Sequence, residues 1–494
     1  MRHQGLEIKL TGDNPQTRYV LRFLFLGIGF PFRIVKEWQN PFFKILCGNR
    51  AVSQDEDYDL LIPDLEKQTS SMDAAYFEGL PLLYYKGKQP APQTFCDGKK
   101  VMFPLLDICF DLLSRAEELK IQNAFNHDPR FEVYQSDLYD LGLLHTPILN
   151  QYITHLRGFI EERLANKQVS LKPYLLWKND KKFAVALTHD VDRIRFASLK
   201  EAGHRISFVF NKHLSASQRI NSLARSWFQF CEAAKRIGET DDPFWNFETW
   251  LNLEKEFGFR STFFVISLTS QGTAYDPSYR LKDRIKFQNQ VTPFSEVLSI
   301  FNREGWEIGL HGSIASFNDP MRMEAEKKHL ESSCGISAAG IRQHHLMFNP
   351  PDTWNLHEKY GFQYDSTLGS NRRIGYRAGV GLPFRPFDAA KNKTVNLWEL
   401  PLIIQDGVVM EEEPVGIERA VQRCIRVFET AKKCGALVVL LWHPNTAFDL
   451  AYPGWFIVYK TILEWLSTQD VFVGTAKEIC QWWEKREKEI LPGE

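Results

Sequence analysis

From about residue 170 the chain alternates short apolar runs with amphipathic helical stretches, the rhythm of a parallel sheet built from repeated strand-helix units. The strand candidates are 183–190 (FAVALTHD), 261–267 (STFFVIS), 306–313 (WEIGLHGS), 340–346 (GIRQHHL), 362–368 (FQYDSTL), 397–404 (LWELPLII), 436–443 (ALVVLLWH) and 471–475 (VFVGT). Helical stretches lie between them at 244–257, 293–304, 321–332, 417–433 and 455–466. Ionisable or metal-capable residues stand at the carboxyl ends of these strands: Asp190 with Asp192, His311, Arg342 with His344, Asp365, Asp406 and His443. In a barrel or an open α/β sheet the loops at that edge converge on one mouth. The pattern therefore predicts an α/β fold with a single shared active site.

The length of 494 residues exceeds what one compact core holds. The change of texture suggests two domains, a smaller α/β domain over 1–165 and a larger one over 170–494 with an insertion at about 193–243. With 60 Lys+Arg against 61 Asp+Glu there is no global field to gather a polyanion, and Lys181-Lys182 and Lys327-Lys328 are too short to track phosphates, so nucleic acid is excluded as a first partner. A composition of 44% hydrophobic and 24% charged residues rules out wholesale disorder and a multi-span membrane protein. The cysteines at 47, 96, 109, 231, 334, 424, 434 and 480 include no Cys-x-x-Cys pair and are expected to be reduced and mostly buried. Leu21 to Phe32, interrupted by Arg22 and Pro31, fits neither a signal peptide nor a membrane span, which gives a cytoplasmic expectation.

In the first 165 residues the most legible element is a helix over 104–119, with Leu105, Ile108, Leu112 and Leu113 on its apolar face. Arg115, Glu117 and Glu118 are expected to face water, the alternative being that they bind something. Gly27-Ile28-Gly29 has the look of a dinucleotide turn, but Pro31 and Phe32 stand where a third glycine and a continuing helix belong.

Five motifs in order, Thr-His-Asp-Val-Asp (188–192), Leu-His-Gly-Ser (310–313), Ile-Arg-Gln-His-His (341–345), Tyr-Asp-Ser-Thr-Leu (364–368) and Leu-Leu-Trp-His-Pro (440–444), resemble the polysaccharide deacetylase family over roughly residues 180–480. Leu-Ser-Arg-Ala-Glu-Glu (113–118) and His-Asp-Pro-Arg-Phe (127–131) look like the uncharacterised amino-terminal domain of some bacterial members. The resemblance implies a distorted (β/α) barrel that removes acetyl groups from N-acetylated sugars with a divalent metal, zinc foremost, with cobalt, nickel or manganese as alternatives. Such an ion lowers the pKa of a bound water toward about 7.

By the family pattern Asp190 is the base, Asp192 a metal ligand, His311 the first metal histidine and Arg342 the clamp on Asp190. The usual second histidine, four residues after His311, is replaced by Ala315. His344 is the candidate for the open place, since strand alternation puts it on the face of Arg342, with Asn318 or a water as alternatives. His443, biased to extended backbone by Pro444, suits the general acid. The backbone N–H of His345 is the analogue of an oxyanion donor. Asp365 and Asp406 are expected to orient His443 or bind sugar hydroxyls, and Trp442 to stack on a pyranose ring. An acetylated sugar or polysaccharide precursor, nucleotide- or lipid-linked, is the expected partner in bacterial surface polysaccharide synthesis. Two other readings stand beside it: a hydrolase of another non-peptide C–N bond on the same fold, and a glycan-binding protein that has lost catalysis, for which Ala315 is the main support.

Overall fold

The apolar runs pair edge to edge. In the computed structural model they form one nine-stranded parallel sheet: β1 (Phe183–Val191), β2 (Thr262–Ile266), β3 (Glu307–Gly312), β4 (Gly340–Gln343), β5 (Tyr364–Asp365), β6 (Trp398–Glu399), β7 (Leu402–Gln405), β8 (Leu437–Leu441) and β9 (Val471–Gly474). The structure describes residues 5–491 except 13, 40, 49–55, 67–69, 125–132, 270, 271, 274, 412–415 and, within 197–240, all but 223, 227, 230 and 231. The proposed insertion and the motif at 127–131 thus lie largely outside the described residues.

The spatial order is β6-β5-β4-β3-β2-β1-β8-β7, with β9 on β1. The long β1 is buried along its whole length, as a strand covered on both faces must be. Its first half pairs with β9 (Phe183 opposite Val471) and its second with β2 (Thr188 opposite Thr262), while β8 runs along the other edge (Ala184 opposite Leu437). The expected single strand over 397–404 is two strands, β6 and β7, at opposite ends of this order. Only Leu400 and Pro401 separate them, so the sheet curls until one bent segment joins its edges. Proline cannot donate to a ladder, which is why the run breaks there.

Helices cover the sheet with the predicted spacing. In Ile417–Cys434 the buried residues Ala420, Val421, Cys424, Val427, Phe428 and Ala431 recur at intervals of three and four, and Gly435 ends the helix at φ 67. Thr475 and Glu478 form a capping box that starts Ala476–Ile490. No described helix is long and apolar enough to cross a membrane. All eight cysteines are free, five of them buried.

The amino-terminal residues form a six-stranded mixed sheet in which Leu6–Leu10 lies between Phe32–Val35 and Phe43–Gly48. The helix Pro15–Ile28 packs against it and ends at Gly29 (φ 93), so the Gly27–Gly29 pair is a helix terminus. No helix stands between β5 and β6. There the segment 375–381 lies against the amino-terminal part instead: Tyr376 N–H donates to the Leu144 carbonyl (2.7 Å), Leu149 N–H to the Gly379 carbonyl (3.0 Å), and Gly381 N–H to Asn150 Oδ1 (2.9 Å). One apolar cluster contains Leu24, Leu112 and Leu149 together with Leu382, Leu402 and Leu441.

The expectation that Arg115 and Glu118 face water is wrong. The helix breaks at Arg115 (φ 56), and Glu118, fully buried, takes Arg115 Nη2 and Arg377 Nη2 at 2.7 Å each. Burial raises the Glu118 carboxyl, but Arg115 and Arg377 outweigh it and hold it below the ordinary range. Glu117 is half-buried and accepts from Asp137 N–H at 2.6 Å. Removing the one acid leaves two buried guanidinium groups without it, so Glu118→Gln should cost about 3–5 kcal/mol of stability. Urea unfolding of the full chain checks this.

Candidate metal centre

Alternation along the end of β1 sends Thr188 and Asp190 to one side and His189 to the other. Arg342, at the end of β4 and fully buried, meets the first pair: one Nη1 donates to Thr188 Oγ1 (2.8 Å) and Asp190 Oδ1 (2.9 Å). Its Nε and Nη2 donate to the carbonyl and hydroxyl of Ser366 (2.9 Å each), and the group lies 4.6 Å from the centre of the Phe264 ring. A guanidinium tied at every edge places the Asp190 carboxylate by a charge-assisted bond.

One residue past β1, Asp192 brings Oδ1 to 3.3 Å from His311 Nε2 and 3.5 Å from His344 Nε2. That oxygen is buried and has no hydrogen-bond partner. A buried bare carboxylate oxygen facing two imidazole nitrogens is costly unless a cation sits among them. Asp192, His311 and His344 are the one described group of three whose donor atoms could hold an ion, all within 4.8 Å of one another. Ligands at about 2.0–2.1 Å around a tetrahedral zinc stand about 3.3 Å apart, so the spacing fits. The tautomer fits as well. His311 Nδ1 lies 2.8 Å from the Arg342 carbonyl, which can only accept, so Nδ1 carries the proton and Nε2 keeps its lone pair for the site.

One acid stands behind this group. Asp276 Oδ1 lies 3.6 Å from His344 Nδ1, and the same carboxylate accepts from Ile314 N–H (2.8 Å) and Thr273 N–H (2.7 Å). Burial raises Asp276, but His344 and the two backbone donors outweigh it and bring it to about 2. Burial lowers His344, while Asp192 and Asp276 raise it to about 9. Burial raises Asp192, yet the three histidines hold it well below the carboxylate range.

Across the site His443 follows β8. Its Nδ1 lies 2.8 Å from Asp406 Oδ1, its backbone N–H donates to Asp406 Oδ2 (2.7 Å), and its Nε2 points at Asp192 Oδ2 (3.5 Å). Burial lowers the imidazole, but Asp406 and Asp192 hold it well above the ordinary histidine value.

The sequence-predicted residues thus divide. Asp190, Asp192, His311, Arg342, His344, His443 and Asp406 come together. His344 arrives by a route other than strand alternation, because β4 ends at Gln343 and the chain turns through His345 (φ 55) and Leu346 (φ 53). Two successive left-handed non-glycine residues cost roughly 1–3 kcal/mol each and mark a turn held by its surroundings. Asn371 Nδ2 donates to the His345 carbonyl (2.9 Å), and the His345 ring is exposed beside Tyr275.

Two assignments need correction, while Asp406 takes the first of the two roles expected of it and lies against His443. Asp365 is fully buried, accepting from Thr367 N–H (2.9 Å) with His357 Nδ1 at 3.3 Å, out of reach of a ligand. Trp442 is fully buried against Tyr459 and offers no face to a pyranose. Asn318 is exposed. Asp276, which sequence reasoning missed, stands at no strand end but in the loop after β2, ten residues beyond Ile266.

Residues 6–165 match a family described only as "Family of unknown function (DUF7033)". No curated protein matches the chain. Among solved structures, a putative polysaccharide deacetylase from Mycobacterium smegmatis is similar at 20% identity and a TM-score of 0.41, over 63% of this chain and 93% of that one. A PuuE allantoinase is similar at 14% and 0.41, over 64% and 95%. A probable polysaccharide deacetylase from Pseudomonas aeruginosa PAO1 is similar at 14% and 0.39, over 64% and 95%.

Proposed function

We propose that the chain is a metal-dependent hydrolase that removes the acetyl group from an N-acetylated sugar carried on a nucleotide- or lipid-linked precursor of a bacterial surface polysaccharide. The observation that carries this reading is the division of labour between two acids two residues apart: Asp190 is tied to Arg342, while Asp192 turns a bare oxygen to His311 and His344.

A divalent ion held by Asp192, His311 and His344 would supply a Lewis acid and a nucleophile available at neutral pH. Asp190 takes the proton of the attacking water, its second oxygen directed toward the site 3.7 Å from His311 Nε2. Arg342 keeps that carboxylate from rotating away. Asp406 fixes the ring of His443 and stabilises its protonated form, so that Nε2–H is ready for the leaving nitrogen. The backbone N–H of His345, in the turn beside His344, serves the developing oxyanion. This pairing of a base and an acid on opposite sides of one site suits amide hydrolysis and has no use in a mere glycan binder.

The test uses the full chain loaded with zinc or cobalt and a panel of N-acetylated sugar nucleotides. Free acetate released in step with free amine supports the reading. Turnover of a cyclic amide with no acetate from any sugar would replace it with the other C–N hydrolase. Metal-loaded protein that binds glycans and turns nothing over would overturn it.

A further inference from the structure

Below the mouth lies another buried acid-histidine pair, which takes no direct part in the proposed reaction. His189, the residue of β1 that alternation turns away from the site, has Nδ1 at 2.5 Å from the Trp442 carbonyl oxygen and Nε2 at 2.8 Å from Glu254 Oε1. The carbonyl can only accept. Glu254, on the helix Phe247–Glu256, also receives Tyr459 Oη (2.9 Å) on Oε1, and Ser261 Oγ (2.8 Å) and Trp306 Nε1 (2.6 Å) on Oε2. With His189 that makes four donors, the full complement of an ionised carboxylate. Burial raises Glu254, but His189, Trp306 and Ser261 outweigh it and keep the carboxyl below its ordinary value.

Beside a carboxylate that already takes Tyr459, Ser261 and Trp306, a neutral imidazole has one donor nitrogen and would set its lone pair against one of these oxygens. The ring also stacks on Phe263 with centroids 4.6 Å apart, an arrangement that favours a cation. We infer that His189 is an imidazolium in the folded protein, and that it and Glu254 form a buried ion pair that positions His443 by gripping the Trp442 carbonyl. Trp250 Nε1 holds the carbonyl on the other side, that of Pro444 (2.8 Å). Asp406 takes the His443 N–H, and Thr446 Oγ1 donates to the His443 carbonyl (2.6 Å). The general acid thus sits in a loop whose polar backbone atoms are held one by one, and the ion pair supplies the charge-assisted member of the set. His189 and Glu254 are positioning residues, and that role rests on the reading of His443 given above. The charge state does not.

The experiment uses full-length protein labelled with 15N-histidine, at about pH 8, above the ordinary histidine value of about 6.5. The His189 signal, assigned by its absence from His189→Asn, is expected to show both ring nitrogens protonated. The ring should become neutral in Glu254→Gln, because the glutamine amide can donate to Nε2 while its oxygen still accepts from Ser261 and Trp306. In that variant kcat should fall about three- to tenfold with KM and bound metal unchanged, as a charge-assisted bond becomes a neutral one. Unchanged kcat in a folded Glu254→Gln would remove the positioning role. A neutral ring in the wild type would overturn the whole inference, and it decides even if the variant fails to fold. If the wild type releases no acetate while the ring is doubly protonated, the proposed reaction fails and the ion pair stands.

Discussion

Asp190→Asn is expected to lower kcat about a thousandfold while the protein stays folded and keeps its metal, since a positioned general base contributes about 10²–10⁴-fold. The side chain keeps its shape, and its amide oxygen can still accept from Arg342 Nη1. Arg342 also retains its three bonds to Thr188 and Ser366, so the buried guanidinium is not stranded. What is lost is the group that takes the proton. Acetate release, thermal unfolding and metal content on one preparation separate these effects. Near-normal turnover would remove Asp190 from the role, and loss of metal would show that it is a ligand.

His344→Ala is expected to empty the site. With Asp192 and His311 alone the ion would have two protein ligands, one short of the three that a catalytic zinc takes. Asp276→Asn acts more weakly. It leaves the ligand and removes the acid behind it, a change that typically costs about 10–100-fold in affinity. The His344 variant should therefore bind metal more than a hundredfold more weakly than the wild type, with Asp276→Asn between them. Titration with zinc against a competing chelator measures all three. Wild-type affinity in His344→Ala would take the third place from this residue.

The strand-end rule exposed the centre because the apolar runs are buried on both faces, so a polar residue at their carboxyl ends has only the mouth to go to. Where that logic failed, the cause lies in contacts distant in sequence. Arg377 is 259 residues from Glu118, so no local pattern shows that a charged helix face meets it. Trp442 precedes His443, and alternation that sends the histidine to the mouth sends its neighbour into the core. Asp365 ends a two-residue strand and is claimed by Thr367 and His357 before any ligand could reach it. The left-handed turn at His345 and Leu346 has no glycine to announce it. Asp276 reads as an ordinary loop acid until the fold brings His344 against it.

The most direct measurement of the central claim is anomalous diffraction at the zinc edge from crystals of the full chain grown with zinc. One strong peak is expected at about 2.0–2.2 Å from an Asp192 oxygen and from Nε2 of both His311 and His344. No peak there, or a peak that leaves any of the three unliganded, would contradict it.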